Sequence, residues 1–389
     1  MERIVHNISH FIEVLSKELV DALRADRAIY ALMFFYLAIA ACYIWVRGGL
    51  PVMDFGIYAL ACLATCCIVL PYALMVMAIA RVTHRLPQRR RLAFRHILSA
   101  RSVARLLAGT LLILATLLLF EQTFTLVKTV FSKADFAYDH LAADVDRYLH
   151  GGRAPFRYLY SFAKNGELLR LIEVNYHEVW AFLWLAALYW VAVSPRADRI
   201  RVRYFITFLL VWIGVGNVVA GIFTSAGPAF YGLVTGDAHR FADLRTFLQS
   251  ASESTTPTQQ YLWSLHARGV TGVASGISAF PSMHVAMAGM NAMFLAERHW
   301  RLGLLGALYT LVIMFSSVYL GWHYAIDGYA ALILTGAIYA AVRFGPRLVA
   351  RRSRDSRPAA PVAAPAALVA VTTPGGGRGR SHALERDAF

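Results

Sequence analysis

Long apolar stretches recur along this 389-residue chain and restrict its fold more than any other feature. A helix needs roughly 20 apolar residues to cross a bilayer, and about eight stretches approach that length. Charged residues make up 16% of the chain, against about 25% in a soluble domain. We therefore predict an all-α integral membrane protein, a polytopic bundle of about eight transmembrane helices. The predicted spans are residues 28–47, 54–80, 104–126, 178–194, 204–224, 281–297, 302–320 and 324–343.

Basic residues gather in four short segments between or after these spans, at 81–105, 196–203, 298–301 and 343–354. With eight spans, all four segments fall on one side of the membrane, and the positive-inside rule makes that side cytoplasmic. We expect both termini to be cytoplasmic and the opposite face to be periplasmic or lumenal, with a bacterial inner membrane as the favoured location. The net charge of +15 then reflects membrane orientation rather than nucleic-acid binding.

The ends of the chain differ from its apolar middle. Residues 1–26 carry apolar side chains at helical spacing with charged residues between them. This pattern predicts an amphipathic helix, either on the membrane surface or packed against the bundle. Residues 27–126 hold the first transmembrane helices, residues 127–345 form the region with the polar motifs, and residues 346–389 are predicted to be a disordered cytoplasmic tail.

Two long polar segments, 127–177 and 225–280, lie between predicted spans and face the side opposite the arginine segments. Loops of this length in a compact protein are usually functional. We expect them to cap the membrane face at which the polar motifs emerge.

His284 and His323 are separated by an apolar interval long enough for one pass across the membrane and one pass back. Both imidazoles should therefore reach the same membrane face. Asp327 follows His323 by one helical turn, so the two side chains are neighbours on one helix face. A carboxylate in this position can hold one ring nitrogen protonated and leave the other as a nucleophile or base.

Pro281 and Ser282 precede His284 at the predicted start of the sixth span. Proline favours the first helical position, and the free N–H groups of a first turn form an anion site. A histidine–aspartate pair, a second histidine and an anion site together suit phosphoryl transfer. The same two histidines and Asp327 could instead form a metal site or an interhelical polar contact.

These motifs resemble those of a known family. Pro281-Ser282-Met283-His284 and His323-Tyr324-Ala325-Ile326-Asp327 are similar to the second and third signature motifs of the type-2 phosphatidic acid phosphatase superfamily. Ser316 stands where the third motif begins with serine, but Ser317 replaces the arginine that normally follows it. The first motif, a lysine followed after six residues by Arg-Pro, is missing.

The departures resemble one branch of the superfamily, the inositol phosphorylceramide synthase-like branch. The resemblance rests on Ala279-Phe280-Pro281-Ser282-Met283-His284, on the His-Tyr-x-x-Asp form of the third motif, and on a Gly-Pro-x-Phe-Tyr segment at 227–231. Residues 146–156 are similar to an upstream loop of that branch. The resemblance covers roughly residues 135–340.

The resemblance implies a double displacement. His323 would attack phosphorus to give a phosphohistidine, Asp327 would stabilise the imidazolium, and His284 would protonate the leaving oxygen and then deprotonate the acceptor. Neither a metal nor a cofactor is expected. With a lipid or alcohol acceptor, the enzyme is a lipid phosphotransferase; with water, it is a lipid phosphate or polyprenyl diphosphate phosphatase. A non-catalytic lipid transporter or scaffold is the alternative of another class.

Because the basic residues of the first and third motifs are absent, the substrate phosphate needs other partners. Arg268 is the arginine nearest in sequence to the second motif, and Tyr231, Ser282 and Ser316 are further candidates for substrate binding. The remaining candidate cations on the outer segments are Arg153, Arg157, Arg240 and Arg245.

Overall fold

The computed structural model describes residues 2–47, 60, 63–85, 87–133, 135–272 and 274–355, and these residues form helices and connecting segments without a strand. In chain order the helices are α1 (Glu2–Ala25), α2 (Arg27–Val46), α3 (Thr65–Arg85), α4 (Arg90–Ile97), α5 (Ala100–Phe131), α6 (Asp139–Leu149), α7 (Pro155–Ala163), α8 (Gly166–Val193), α9 (Pro195–Ile222), α10 (Tyr231–Thr235), α11 (Ala242–Ala251), α12 (Thr255–Arg268), α13 (Met283–Arg298), α14 (Trp300–Tyr319) and α15 (Ala325–Asp355).

Within the described ranges, seven helices are long and apolar enough to cross a membrane: α2, α3, α5, α8, α9, α14 and the segment Ala325–Gly345 of α15. This confirms the predicted class, a polytopic helical membrane protein. The predicted span 281–297 corresponds to α13, which has only 16 residues because Pro281 and Ser282 precede the helix instead of forming part of it. Residues 54–59, 61 and 62 of the second predicted span and residues 356–389 of the predicted tail lie outside the described residues.

Helices α13 and α14 form a tight antiparallel hairpin. A Cβ atom added to Gly303 would lie 2.5 Å from the Cβ of Ala296, and one added to Gly306 would lie 2.8 Å from the Cβ of Ala292. Small residues on both helices therefore allow this close approach. The hairpin brings the start of α13 and the end of α14 together, so the two histidine motifs lie at the same end of the bundle.

The two long segments predicted to cap one face are largely helical. Segment 127–177 contains the end of α5, all of α6 and α7, and the start of α8, while segment 225–280 contains α10, α11 and α12. Helices α6 and α7 each bury one face and expose the other, which is the usual arrangement for short helices on a bundle. These helices pack over the end of the bundle that carries the histidine motifs.

Arginine side chains of these segments, among them Arg105, Arg201 and Arg343, lie at the other end of the bundle, which we call the arginine end. There the starts of α5 and α9 meet the end of α13, the Arg343 turn of α15 and the connection between α1 and α2. The ion pairs at this end are Arg101–Glu18, Arg105–Asp198, Arg201–Asp26, Arg203–Glu297 and Arg343–Glu297. Helix α13 carries His284 in its first turn and Glu297 in its last turn, so the histidine motifs and the arginine end are at opposite ends of the helices.

Helix α1 packs along the first part of α5, and the Arg101–Glu18 ion pair joins the two. Apolar side chains on another side of α1, including Val5, Ile8 and Ile12, are exposed. The N-terminal helix is therefore amphipathic and contacts the bundle through one face.

Candidate active site

A cavity of about 420 Å³ lies at the end of the bundle opposite the arginine end. Residues from α5, α8, α9, α12 and α13 line it, together with residues 274–278, Pro281, residues 322–323, Ala226 and Phe230. His284 and His323 both border this cavity. The two imidazoles therefore lie at one place, as the sequence predicted. We call this space the histidine cavity.

His323 lies in the connection between α14 and α15 and is 7% exposed. Its Nδ1 atom is 2.6 Å from the carbonyl oxygen of Ala279. Because a carbonyl only accepts hydrogen bonds, Nδ1 carries the hydrogen and Nε2 keeps its lone pair. Burial, assisted by the positive charge of Lys128, lowers the pKa of His323 to about 4, so the ring is neutral at neutral pH.

Asp327 is fully buried in the first turn of α15. Its Oδ2 atom accepts a hydrogen bond from the backbone N–H of Tyr324 at 2.9 Å and lies 3.4 Å from Nδ1 of His323. The sequence predicted that this carboxylate can hold one ring nitrogen of His323 protonated. In the structure the Ala279 carbonyl forms the shorter contact with Nδ1, and Asp327 also accepts from the backbone N–H of the residue before α15.

His284 is the second residue of α13, and two aromatic rings enclose it. The ring centroid of Tyr176 is 4.1 Å away and nearly parallel, and the centroid of Trp180 is 4.0 Å away on a tilted ring. The Trp180 indole N–H also donates to the His284 carbonyl at 3.1 Å. Among the described residues, neither ring nitrogen of His284 has a hydrogen-bond partner. The aromatic contacts therefore fix the ring and leave its nitrogens available to a ligand.

Ser282 is the N-cap of α13. Its hydroxyl accepts from the backbone N–H of Val285 at 3.5 Å, and its own N–H donates to the carbonyl of Asp327 at 3.1 Å. Ser282 is fully buried and does not border the histidine cavity. Its position ties the start of α13, which carries His284, to the start of α15, which carries Asp327.

The other residues predicted to bind substrate do not border the cavity. Arg268 is exposed and donates to the carbonyl and hydroxyl of Ser264 on its own helix. Tyr231 is buried, and its hydroxyl contacts His140 and accepts from Arg240. The Ser316 hydroxyl donates to the carbonyl of Val312 in the preceding turn of α14. The remaining candidate cations, Arg153, Arg157, Arg240 and Arg245, also lie outside the cavity lining.

Lys128, near the end of α5, is the cation that borders the cavity. Within the described residues its ammonium group forms neither an ion pair nor a hydrogen bond. Gly276 adopts a φ of +86° beside it, and a Cβ atom there would lie 3.0 Å from the carbonyl carbon of Lys128. This contact packs the loop before α13 directly onto α5. The sequence prediction missed Lys128 because the third span was ended at residue 126; a lysine inside an apolar helix is the signal that would have found it.

Helix α6 supports the histidine segment from outside the cavity with two buried carboxylates two turns apart. Asp146 accepts from the backbone N–H of Ile326 at 3.1 Å, in the first turn of α15. Burial raises the pKa of Asp139, and the hydrogen bonds it accepts oppose that rise. The donors to Asp139 are the hydroxyls of Ser225 and Tyr324 and the backbone N–H groups of Ala226 and Gly227. These contacts hold Tyr324 and Ile326, which follow His323, and join them through α6 to the segment 225–227.

Among the described residues, no three histidine, cysteine, aspartate or glutamate side chains are placed to hold one metal ion. The two histidines and Asp327 therefore do not form the metal site considered from the sequence.

A family model described as the PAP2 superfamily matches residues 143–341, slightly more than half of the chain. The matched region contains His284, His323 and Asp327 and ends within α15. No curated protein and no solved structure matches the chain. The match confirms the superfamily that the motifs resemble; the inositol phosphorylceramide synthase-like branch stays a prediction.

Proposed function

Because this chain belongs to the PAP2 superfamily, and is therefore a membrane enzyme of the phosphatase and phosphotransferase class, we propose that it transfers a phosphorylated head group between membrane lipids through a phosphohistidine. The observation that carries the proposal is the meeting of His284, His323 and Lys128 on one cavity. A neutral nucleophile, a second imidazole and an unpaired cation are the groups that phosphoryl transfer needs.

In the first step, the Nε2 lone pair of His323 attacks phosphorus. The N–P bond forms as the P–O bond to the leaving group breaks, and His284, in its imidazolium form, gives a proton to the leaving oxygen and becomes neutral. In the second step, His284 takes a proton from the acceptor hydroxyl, whose oxygen attacks phosphorus and releases His323. The Ala279 carbonyl and the Asp327 carboxylate both stabilise the positive charge that the His323 ring carries in between.

Lys128 neutralises the phosphate in this scheme. The basic residues of the family's usual first and third motifs are missing from the sequence, and among the described residues Lys128 is the lysine or arginine bordering the cavity. Its ammonium is a point charge with three donors, which suits the oxygens of a phosphoryl group. Lys128 therefore takes the place of Arg268 as the favoured phosphate partner, because the Arg268 guanidinium bonds Ser264 on its own helix.

Two features favour transfer over hydrolysis. The replaced motifs follow the synthase-like branch, and the walls around the two histidines are mostly apolar and aromatic, including Trp180, Trp322 and Phe230. Such walls accommodate a lipid acceptor and limit the access of bulk water. Hydrolysis of a lipid phosphate or polyprenyl diphosphate at the same site is the second candidate. On either activity, the arginine end faces the cytoplasm of a bacterial inner membrane and the cavity opens to the opposite side.

The decisive experiment compares purified wild-type protein with His323→Ala, His284→Ala and Asp327→Asn in a bilayer that contains a phospholipid labelled in its head-group phosphate. We expect His323→Ala to lower turnover by at least about 10³-fold and His284→Ala by about 10²–10⁴-fold, with a smaller loss in Asp327→Asn. His10→Ala, an exposed histidine on α1, is the control and should match wild type.

Three readouts separate the alternatives. An acid-labile label on the wild-type protein that His323→Ala lacks supports the phosphohistidine. A new phospholipid that forms only with an acceptor lipid supports transfer, whereas free phosphate released without acceptor supports hydrolysis. Near-normal turnover by His323→Ala would show that His323 is not the nucleophile. If the protein converted none of the lipids, a transporter would be favoured.

A further inference from the structure

Glu121 is a buried carboxyl group that the proposed chemistry does not use. It lies on α5, is 8% exposed and borders the histidine cavity. Its Oε1 atom has no hydrogen-bond partner among the described residues. A carboxyl group within a membrane-spanning helix is costly without a partner, and such groups usually mark a binding site.

Glu121 lies deeper in the bundle than Lys128. Helix α5 runs from the arginine end towards the cavity and is α-helical from Glu121 to Phe131. Seven residues separate Glu121 from Lys128, which is two turns, so both side chains lie on one face and their Cα atoms are about 10 Å apart along the axis. Side chains lean towards the helix N-terminus, so the lysine reaches towards Glu121. The two do not form an ion pair in the described part of the chain.

The surroundings of Glu121 fit a lipid better than an ion. The nearby cavity lining includes Phe124, Trp212 and Ala220, which offer hydrocarbon surface, and Thr125 uses its hydroxyl to bond the Glu121 carbonyl. A π-helical stretch, Ala115–Phe120, ends immediately before Glu121.

Two more π-helical stretches, Asn175–Val179 and Trp212–Val219, contribute lining residues on the facing helices. π-helical stretches are rare in proteins, and many of them lie at functional sites. Two of them line the cavity and the third ends immediately before Glu121, which indicates a site shaped to hold a ligand.

We propose that Glu121 hydrogen-bonds a hydroxyl or amide N–H in the backbone of the lipid whose phosphate reacts at His323, and so selects lipids that carry such a donor. The inference rests on the proposed function for the position of the phosphate. A lipid with its phosphate at Lys128 and His323 extends down α5 past Thr125, so its backbone passes the carboxyl group. Lipids whose backbone offers only ester carbonyls leave Glu121 without a donor.

The test uses two phosphomonoester lipids of matched chain length. Short-chain ceramide 1-phosphate has an amide N–H and a hydroxyl near its phosphate, and short-chain phosphatidic acid has two esters. kcat/KM for each lipid is measured in wild type, Glu121→Gln, Glu121→Leu and Glu167→Leu. Glu167 is exposed, lies outside the cavity lining and serves as the control.

We expect wild type to prefer the ceramide phosphate by about tenfold or more, because a site built around a hydrogen bond rejects the analogue that lacks it. Glu121→Leu should lower kcat/KM for the ceramide phosphate about tenfold more than for phosphatidic acid, with Glu121→Gln between. Glu167→Leu should keep the wild-type ratio. An unchanged ratio in both Glu121 variants would overturn the inference.

A binding measurement separates this inference from the proposed function. The affinity of each lipid is measured on His323→Ala protein, with and without Glu121→Gln, so that turnover plays no part. A preference for the ceramide phosphate that Glu121→Gln weakens supports the inference even if wild type turns over neither lipid, because the Gln amide oxygen is the weaker acceptor. Equal affinities for both lipids in both proteins would contradict the inference about Glu121. In that case, turnover that depends on His323 would still support the proposed function. Glu121→Gln keeps the side-chain shape, so it decides the question if Glu121→Leu does not fold.

Discussion

Within the described residues, buried charged groups have partners at one end of this bundle and lack them at the other. At the arginine end, the buried Asp26 carboxylate accepts two hydrogen bonds from Arg201, and Glu297 pairs with both Arg203 and Arg343. At the histidine cavity, Lys128 and the Oε1 atom of Glu121 have no partner among the described residues.

The difference separates structural charges from functional ones. A buried ion pair is already satisfied, so it holds helices together and offers nothing to a ligand. An unpartnered polar group inside a membrane protein has a desolvation cost, and a ligand that bonds to the group offsets that cost. Substitutions at the arginine end should therefore change stability, and substitutions at the cavity should change activity.

The largest effect is expected from Asp26→Leu. This change leaves the Arg201 guanidinium buried beside the carbonyl of Ala192 without its carboxylate, which costs about 3–5 kcal/mol for a buried pair. The expected result is a marked loss of thermal stability in detergent, with turnover per folded molecule close to wild type. The double variant Asp26→Leu/Arg201→Leu should recover most of the loss, because it removes both charges together. A double variant as unstable as the single one would show that the pair does not act as a unit.

Lys128→Met is the matching change at the cavity. Removing one preorganised charge partner from a phosphoryl group should lower kcat by about 100-fold, close to 2.7 kcal/mol of transition-state stabilisation. Thermal stability should stay at or above that of wild type, since the ammonium group pairs with no described side chain and Met removes its desolvation cost. Lys133→Met, five residues further on and exposed, is the control. A large loss of stability with unchanged turnover would reverse the assignment and make Lys128 a structural charge.

Features that depend on local sequence were predictable. Hydropathy located the spans, and the apolar interval between His284 and His323 was enough to bring both rings to one cavity. Arg268 shows the limit of this reasoning, because it is close to His284 in sequence, yet its guanidinium bonds Ser264 on its own helix.

Features that depend on tertiary packing were not predictable. Lys128 reaches the cavity because α5 continues to Phe131 and the loop at Gly276 packs against it. The carbonyl of Ala279 that orients His323 has no sequence signal at all, since every residue carries a carbonyl.

The pH dependence of stability provides a third test. Burial gives His323 a pKa of about 4 in the folded protein, against an ordinary value of about 6.5 when unfolded. The unfolded chain therefore binds more protons between these values, and folding stability falls as the pH drops from 6.5 towards 4. His323 alone should contribute a loss of roughly 2 kcal/mol between pH 7.5 and pH 5. In His323→Gln, thermal melts should show a shallower decline over this range, and parallel curves would contradict the neutral, buried state of the ring.

The smallest effect is expected from Arg105→Ala at the arginine end. Arg105 pairs with Asp198 at 2.6 Å, but the two side chains are 25% and 50% exposed. An exposed pair contributes only about 0.2–1 kcal/mol, because water and salt screen the charges. The variant should melt slightly below wild type at low salt, and the difference should vanish near 1 M salt, while turnover is unchanged. A loss of stability as large as that of Asp26→Leu would mean that this pair also holds the helices together. Burial would then not distinguish strong ion pairs from weak ones at the arginine end.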